Sequence, residues 1–358
     1  MAVLTEAARS GERVFDDGLP LTGAVAAGHK IARVPIGQGD VIYKLGKMIG
    51  TATCAIAVGE HVHSHNCSFG EPAEIGGIGP ENQTAWGSQL EAARAAVPIV
   101  SPLHFEGYAR ADGRVGTRNT VALVATVNCS ATVIRQAAAE LDASGILADF
   151  DNVDGFVALA HTTGCGMAAS GRGYDILQRV LWGHATHPNV GAAIFVGLGC
   201  EVMQIARMKA QFGAGAKERL HALTIQETGG TRATINAIKD HVIALLPTLN
   251  QCKRSPQPMS ALCVGLQCGG SDGFSTITAN PALGVASDLL VAQGATVILS
   301  ETPEIYGAER LLLDRAISEP VAEKLMAHIR WWQDYAQQNG ASLDNNPSPG
   351  NKLGGITT

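Results

Sequence analysis

From residue 106 onwards, short apolar runs alternate with stretches in which apolar residues recur at helical spacing. The apolar runs lie at 121–127, 155–160, 192–197, 221–225, 261–266 and 296–300. The helical patterns lie at 131–144, 174–185, 233–246 and 282–294. Apolar runs without polar alternation are typical of strands buried on both faces of a parallel sheet. The pattern therefore predicts a layered α/β region with a mostly parallel sheet.

The beginning of the chain has a different texture. Residues 13–70 are rich in β-branched residues and glycine, show no helical period, and predict a small β-rich module. A Pro/Gly-dense linker is expected after it, and the polar segment 252–260 divides the α/β region into two lobes. We therefore predict a multi-domain α/β protein. Its expected parts are residues 1–90 with a linker to about 105, a lobe at 106–250, and a lobe at 251–358 whose turn-rich end is either a tail or an early end of the chain.

Composition narrows the class of protein. The chain has 358 residues, a net charge of −6 and 46% apolar residues, which argues against disorder and against nucleic-acid binding. No apolar run approaches the roughly 20 residues of a membrane span, and the N-terminus lacks a signal-peptide layout. We expect a cytoplasmic protein without a nucleic-acid or membrane partner, and we leave a homo-oligomer open. The eight cysteines are expected to be thiols or metal ligands rather than disulfides.

The segment from Glu60 to Asn66 contains a row of histidines. On a strand, His61, His63 and His65 would face the same side. Neutral imidazoles serve as metal ligands and as acid/base groups near neutral pH. Side chains so close in direction bind one ion together with difficulty, so we favour one or two of them acting on a substrate. The alternative is a solvated strand edge.

Four cysteines follow apolar runs, where open α/β sheets gather their ligands. They are Cys129, Cys165, Cys200 and Cys268. Four thiols at one edge of a sheet would suit iron or an iron–sulfur cluster. The alternative is that each cysteine is a small buried apolar residue.

Two glycine-rich turns and one arginine-rich segment are candidates for binding an anion. The turn 226–232 ends at Arg232, and the turn 267–275 contains Gly270, Ser271 and Asp272. Such turns expose backbone N–H groups, although neither matches a nucleotide-binding glycine pattern. The segment 106–119 adds Arg110, Arg118 and Asn119. The alternatives are that the turns bind no ligand and that the arginine-rich segment is a solvated hairpin.

Three glutamates that follow the apolar run at 296–300 are further candidates for metal binding or proton transfer: Glu301, Glu304 and Glu309.

Taken in order, these motifs resemble the altronate/galactarate dehydratase family. AGHKIA, YKLG and GEHVHSHN resemble its small N-terminal β-clip (SAF) domain. GYARADGRVGTRN, VNCS, TGCG, GLGCE, GGTR, CGGSDGFSTITANPALG, SETPEIYGAE and NNPSPGNKLGG resemble its catalytic region. The PEIYGAE segment is closer to altronate dehydratase, and a related arrangement occurs in sulfolactate sulfo-lyase. Members of the family usually extend well beyond the NPSPGNK segment.

The resemblance implies a metal-dependent hydro-lyase that converts a sugar acid such as altronate to a 2-keto-3-deoxy acid. It implies iron, with manganese supporting activity in some members. We assign acid/base or substrate contacts to His63 and His65, with Lys44 nearby, and iron to the four cysteines. The expected contacts to the carboxylate and hydroxyls are Asn66, Arg110, Arg118, Asn119, Arg232, Gly270, Ser271 and Asp272. A sulfo-lyase and a non-catalytic fragment or binding module remain the alternatives.

Overall fold

The computed structural model describes residues 1–16, 18–68, 101–213, 219–343, 345 and 347–357. The chain forms two compact units. The N/C unit combines Met1–Ser101 with Cys263–Thr358, and the central unit is Pro102–Leu262. The linker expected up to residue 105 lies largely outside the described residues. The three-part division of the chain stays a prediction.

A four-stranded parallel sheet forms the centre of the central unit. Its strands lie in the order β10-β9-β11-β12. They are β9 (Thr120–Ala125), β10 (Gly155–Leu159), β11 (Val190–Gly197) and β12 (Leu220–Thr224). Every residue of β11 is buried, as the continuous apolar run predicts for a strand covered on both faces.

Helices cover both faces of this sheet. They are α1 (Asn128–Ala143), α2 (Arg172–Ala185), α3 (Ile205–Phe212), α4 (Ile225–Thr228) and α5 (Thr231–Leu249). Apolar residues of α1 and α5 pack on one face, and those of α2 and α3 pack on the other. Side chains at helical spacing, such as Ile235, Ile238 and Val242, place one stripe of α5 in the core. A three-stranded antiparallel sheet completes the unit with β7 (His104–Ala109), β8 (Val115–Gly116) and β13 (Ser255–Pro258).

The N-terminal part of the N/C unit contains two small antiparallel sheets. One has the order β1-β2-β5 and the other β3-β4-β6. Their strands are β1 (Ala2–Val3), β2 (Lys30–Ile31), β3 (Val41–Lys44), β4 (Lys47–Ala52), β5 (His61–Val62) and β6 (Cys67–Ser68). Two compact clusters of aliphatic side chains, around Ile42 and around Leu21, hold these short strands together.

The C-terminal part of the same unit pairs β14 (Cys263–Leu266) with β15 (Thr296–Leu299) in parallel. Its helices are α6 (Ala279–Ala292), α7 (Glu309–Leu313), α8 (Glu319–Gln338) and α9 (Pro349–Leu353). Buried residues of α8, such as Met326 and Ile329, pack against Leu313. No helix in the described ranges has the length and apolar character that a membrane span needs.

The predicted fold class is confirmed, because small antiparallel sheets precede an α/β region that contains a parallel sheet. The strand expected to carry the histidine row is wrong in its extent. It ends at Val62, and residues 63–66 form a turn. Helices α3 and α8 were not predicted from the periodicity.

Candidate active site

The candidate site lies within the N/C unit and begins with the pairing of two short strands. Strand β2 pairs antiparallel with β5, with Lys30 opposite Val62 and Ile31 opposite His61. This register brings His29, which directly precedes β2, beside the histidine-rich segment. The imidazole centroids of His29 and His61 are 5.0 Å apart, and His29 stacks on His63 at 5.2 Å.

The turn after β5 keeps the histidine rings together although the strand has ended. His63 and His65 lie with their centroids 5.3 Å and 5.5 Å from that of His61. Asn66, which is fully buried, closes the turn. Its Oδ1 accepts from the backbone N–H of His63 at 3.0 Å, and its Nδ2 donates to the carbonyl of His61 at 2.9 Å. Asn66, expected to contact substrate, therefore has both ends of its amide occupied in positioning the histidines.

The glycine-rich C-terminal segment lies directly against these histidines. A ring nitrogen of His29 lies 2.9 Å from the carbonyl oxygen of Leu353, and His63 Nε2 lies 2.9 Å from that of Lys352. Lys30 Nζ donates to the carbonyl of Gly355. Three side chains from the N-terminal module are therefore bound by consecutive or nearly consecutive carbonyls of one short segment.

Glycine makes this close approach possible. A Cβ at Gly273 would lie 2.2 Å from the carbonyl oxygen of Gly28, and a Cβ at Gly355 would lie 2.4 Å from the same oxygen. Gly355 also has a φ of +94°, in the left-handed region that favours glycine. The backbones of three separate segments meet here at distances that no side chain would allow.

The predicted Gly270–Asp272 turn belongs to this unit and is joined to the C-terminal segment. Asn351 Nδ2 donates to the carbonyl of Ser271. The carboxylate of Asp272 accepts from the backbone N–H groups of Phe274 and Ser275, at 2.9 Å and 2.8 Å. These bonds cap the local turn, so Asp272 shapes the turn as well as being a candidate for substrate contact.

Cys268 opens this turn as an exposed thiol. Its backbone N–H donates to a carboxylate oxygen of Glu301, and its Sγ lies 3.9 Å from Ser271 Oγ. Glu301 has a φ of +39°, an unusual backbone conformation for a residue other than glycine. Glu301 was predicted as a candidate for metal binding or proton transfer. In the structure its carboxylate holds the backbone at the start of the turn.

Burial and neighbouring imidazole and lysine groups favour the neutral forms of His61 and His63. Burial is the main cause that lowers the pKa of His61 from 6.5 to about 4, and nearby His29 and His63 lower it further. Burial also lowers the pKa of His63, although its hydrogen bond to the Lys352 carbonyl acts in the opposite direction. Both imidazoles are therefore mostly neutral at pH 7, each with one ring nitrogen that carries no hydrogen.

Two lysines bring positive charge to the same site. Burial lowers the pKa of Lys30 from 10.5 to about 8, and the charge of Lys44 lowers it further. Burial also lowers the pKa of Lys44, whose Nζ donates to Thr276 Oγ1. At pH 7 the Lys30 ammonium group remains mostly protonated. Two lysine side chains therefore lie beside the neutral imidazoles, where they are able to attract an anion.

Three residues of this site were missed as site residues in the sequence. His29 and Lys30 lie within the quoted AGHKIA motif, and His61 was left without a role. Both members of the His29–Lys30 pair are buried, at 9% and 3% exposure. A histidine and a lysine inside a largely apolar run are the signal that would have singled them out, because buried charge needs a reason.

Two predicted substrate residues of the central unit have structural partners. Arg110 donates to the carbonyl of Pro188 at 2.7 Å and to Asn119 Oδ1 at 3.0 Å. Asn119 is buried and donates from Nδ2 to the carbonyls of Asn152 and Leu249. Asn119 directly precedes β9, at the amino end of the parallel sheet. Since ligands of such sheets gather at the carboxyl end, we leave both residues outside the site proposed below.

The other two predicted arginines are exposed. Arg118 has an exposed side chain, and its carbonyl accepts from Arg110. Arg232 lies in the first turn of α5 and pairs with Glu140 at 2.8 Å. Lys239 reaches the same carboxylate at 2.9 Å, and the two bonds lower the pKa of Glu140 to about 2. Arg232 thus ties α5 to α1 at the surface of the central unit.

The predicted iron ligands are divided between the two units. Cys129, Cys165 and Cys200 are exposed thiols that follow β9, β10 and β11 in the central unit, whereas Cys268 belongs to the N/C unit. Hydrogen bonds join the loops that carry the first three, from Asn128 N to the Thr163 carbonyl and from Thr126 Oγ1 to Glu201. In the described part of the chain, no group of three or more His, Cys, Asp or Glu side chains is arranged to hold a metal ion.

Three family models match consecutive parts of the chain. The altronate/galactarate dehydratase SAF domain matches residues 1–69. The second domain of D-galactarate dehydratase/altronate hydrolase matches residues 107–250. The C-terminal domain of D-galactarate/altronate dehydratase matches residues 259–358. The matched order is the order of the motifs along the chain.

Curated relatives extend this similarity to almost the whole chain. Altronate dehydratase of Escherichia coli is 37% identical over 93% of this chain and 64% of its own length. Altronate dehydratase of Bacillus subtilis is 34% identical over 98% of this chain and 67% of its own length. The sulfolactate sulfo-lyase beta subunit of Chromohalobacter salexigens is 31% identical over 71% of this chain and 61% of its own length. The chain thus spans about two thirds of the length of these altronate dehydratases.

Proposed function

Because the chain belongs to the D-galactarate dehydratase/altronate hydrolase family, we propose that it is a hydro-lyase acting on a sugar acid such as altronate. Its product would be the corresponding 2-keto-3-deoxy acid. One structural observation carries the proposal. Four imidazoles lie close together in the N/C unit. His29, His63 and Lys30 of this site bind carbonyls of the glycine-rich C-terminal segment, and Lys44 donates to Thr276.

The reaction requires three kinds of group, and this site supplies each. A base removes the proton from the carbon next to the carboxylate. An acid protonates the hydroxyl that leaves from the following carbon, and the resulting enol becomes the ketone. The imidazole cluster would supply both the acid and the base, and within it we assign acid/base or substrate contacts to His63 and His65. Lys30 and Lys44 would attract the substrate carboxylate, because their charges lie in a partly buried site where attraction is less screened.

Iron stays a proposal that rests on donor chemistry. The described side chains do not fit a single ion held by three or more of these donors, so we derive no step through a metal. Thiolates are the usual ligands of iron–sulfur clusters, which supply Lewis-acid chemistry when bound. Cys129, Cys165, Cys200 and Cys268 are therefore the residues to test, with manganese as the alternative metal.

Metal analysis tests this part of the proposal separately. We expect anaerobically purified protein to contain iron and acid-labile sulfide, and we expect Cys165→Ser to lower both. Cys54→Ser is the matched control, because Cys54 is also exposed but follows a strand of an antiparallel sheet. Equal iron content in both variants would remove the thiols from the proposal.

An activity assay tests the dehydratase itself. We expect keto-acid formation from altronate or galactarate under reducing conditions, with and without added iron or manganese. His63→Asn should lower kcat by about 10²-fold or more, the usual contribution of a general acid or base. His328→Asn, an exposed histidine of α8, is the control. The proposal fails if no sugar acid yields a keto acid.

A sulfo-lyase is the second candidate, because a relative named as a sulfolactate sulfo-lyase subunit matches 71% of the chain. Such an enzyme would remove sulfite rather than water. The same imidazoles would take the proton, and the leaving group would differ. Release of sulfite from sulfolactate, measured beside keto-acid formation from altronate, separates the two candidates.

A further inference from the structure

Both ring nitrogens of His29 have hydrogen-bond partners. Nε2 lies 2.9 Å from the carbonyl oxygen of Leu353, and Nδ1 lies 2.9 Å from His61 Nε2. A carbonyl oxygen only accepts, so His29 Nε2 carries a hydrogen and donates it. The identity of the partner thus decides the position of one proton in this pair of rings.

The remaining proton positions follow from that assignment. In a neutral His29, a hydrogen on Nε2 leaves Nδ1 as a lone pair. His61 Nε2 must then donate to it, and His61 Nδ1 carries the second lone pair of the chain. Among the described residues, no hydrogen bond occupies His61 Nδ1. His61 Nε2 therefore donates to His29 Nδ1, and His29 Nε2 donates to the carbonyl of Leu353 in the C-terminal segment.

We propose that His61 and His29 form a two-imidazole proton relay, in which His61 Nδ1 accepts the substrate proton and His29 accepts the positive charge. When the proton binds His61 Nδ1, the hydrogen on His61 Nε2 passes to His29 Nδ1. His61 is then neutral again with its hydrogen on Nδ1, and His29 is an imidazolium. One proton enters the pair, one hydrogen bond reverses its direction, and no other reactant is needed.

The surroundings of the two rings favour this division of roles. His61 alone is a weak base, because its pKa is lowered to about 4. The groups that face it are Lys30 of β2, His29 directly before that strand and, in the turn after its own strand, His63 and His65. Each of these is a potential cation. His29 is also buried, lies next to Lys30 and stacks on His63 at 5.2 Å. An imidazolium at His29 would nevertheless have an acceptor for both of its N–H groups, namely Leu353 O and His61 Nε2.

His29 is thus a positioning residue that acts through His61. The relay rests on the proposed dehydratase function for its substrate, whereas the proton positions rest only on the geometry. Two kinds of measurement therefore test it. The first reads proton positions on the rings and is independent of activity, and the second reads catalysis.

Nitrogen-15 NMR of the histidines, assigned with His→Asn variants, reads the proton positions directly. We expect His61 to carry its hydrogen on Nε2 at neutral pH. As the pH falls, the first proton bound by the pair should produce an imidazolium at His29 and move the hydrogen of His61 to Nδ1. A neutral His61 with its hydrogen on Nδ1 at neutral pH, or an imidazolium that forms first at His61, would overturn the relay.

The catalytic test uses two substitutions of the same residue. In His29→Asn, the side-chain oxygen is placed to accept from His61 Nε2 as Nδ1 does, but it is unable to take the charge. We expect kcat to fall by about 10²-fold with little change in KM, and the pH dependence of kcat to change. His29→Ala removes the acceptor as well, and the NMR signal of His61 should then show a mixture of tautomers.

A purely structural role for His29 predicts a different result. The acceptor in His29→Asn would restore the position of His61, and kcat and its pH profile would match those of the unaltered protein. That result would overturn the relay. His328→Asn controls for the loss of an imidazole elsewhere in the same unit, and thermal unfolding confirms that each variant is folded. Absence of any dehydratase activity in the unaltered protein would count against the proposed function, while the NMR result would still decide the proton positions.

Discussion

Asn66 Nδ2 donates to the carbonyl oxygen of His61 across a distance of 2.9 Å, so a fully buried amide holds the backbone from which the central imidazole projects. The other end of the amide accepts from the backbone N–H of His63. The Asn66 side chain therefore fixes the backbone of both histidines, a role that strand pairing would have had in a longer strand. It keeps their rings on one side of the chain although β5 ends at Val62.

This relationship predicts the effect of removing the amide. We expect Asn66→Ala to destabilise the protein by about 1–3 kcal/mol, the usual cost of leaving buried polar groups unpaired. It should also lower kcat, because His61 and His63 lose their common anchor. Urea unfolding and steady-state kinetics measure the two effects. Unchanged activity in Asn66→Ala would show that the turn holds its shape without this side chain.

The lowered pKa of His61 predicts a loss of stability in acid. In the unfolded chain the imidazole has a pKa near 6.5, and in the folded protein it is about 4. Between these values the unfolded state binds a proton that the folded state does not, so stability falls as the pH falls from about 6.5 to about 4. In urea unfolding over this range, His61→Asn should show a weaker pH dependence than the unaltered protein. The exposed His328→Asn should retain the full dependence, and an equal slope in all three would contradict the assignment.

The close approach of backbones at Gly273 predicts that even one methyl group is harmful there. In Gly273→Ala the added Cβ would meet the carbonyl oxygen of Gly28 at 2.2 Å, far inside any real contact. The C-terminal segment would have to shift away from His29 and Lys30, so we expect a lower melting temperature and a lower kcat/KM. Gly350→Ala is the matched control, since its Cβ would have no neighbour within 4 Å. Equal behaviour of the two variants would contradict the close approach.

Two isoleucines of α5 offer a paired test of the core of the central unit. Ile238 is fully buried, whereas Ile243 is 44% exposed. We expect Ile238→Ala to destabilise the protein by about 2–5 kcal/mol, because it leaves a cavity against the central sheet. Ile243→Ala should change stability by about 0.5 kcal/mol or less. Chemical denaturation measures both, and similar losses would mean that α5 presents another face to the sheet.

The strands and helices of the central unit were predictable because local sequence carries their signal. The apolar run at 192–197 becomes part of β11, and the helical pattern at 233–246 becomes the middle of α5. A parallel strand buried on both faces needs nothing but apolar residues, and that requirement is visible within a few positions. The short turn of the histidine segment was not visible, since it depends on hydrogen bonds to one buried amide.

The residues of the candidate site, unlike the strands and helices of the central unit, were only partly predictable from the sequence. His63, His65 and Lys44 were predicted from their residue types and from the family resemblance, but His29 and Lys30 were not. His29 binds the carbonyl of Leu353, which is 324 positions away in the chain. A backbone carbonyl has no residue-type signature, so no reading of the sequence reveals that it will accept from this imidazole.

The sequence by itself determined the class of fold, the family and the residue types available for acid/base chemistry, because apolar periodicity and ordered motifs are local properties. Only the tertiary structure decided which of those residues meet. It brought His29 and Lys30 against a glycine-rich segment near the other end of the chain. The physical reason is that proton positions and charge depend on hydrogen-bond partners within about 3 Å. Tertiary packing determines those partners, and they need not be close in the sequence.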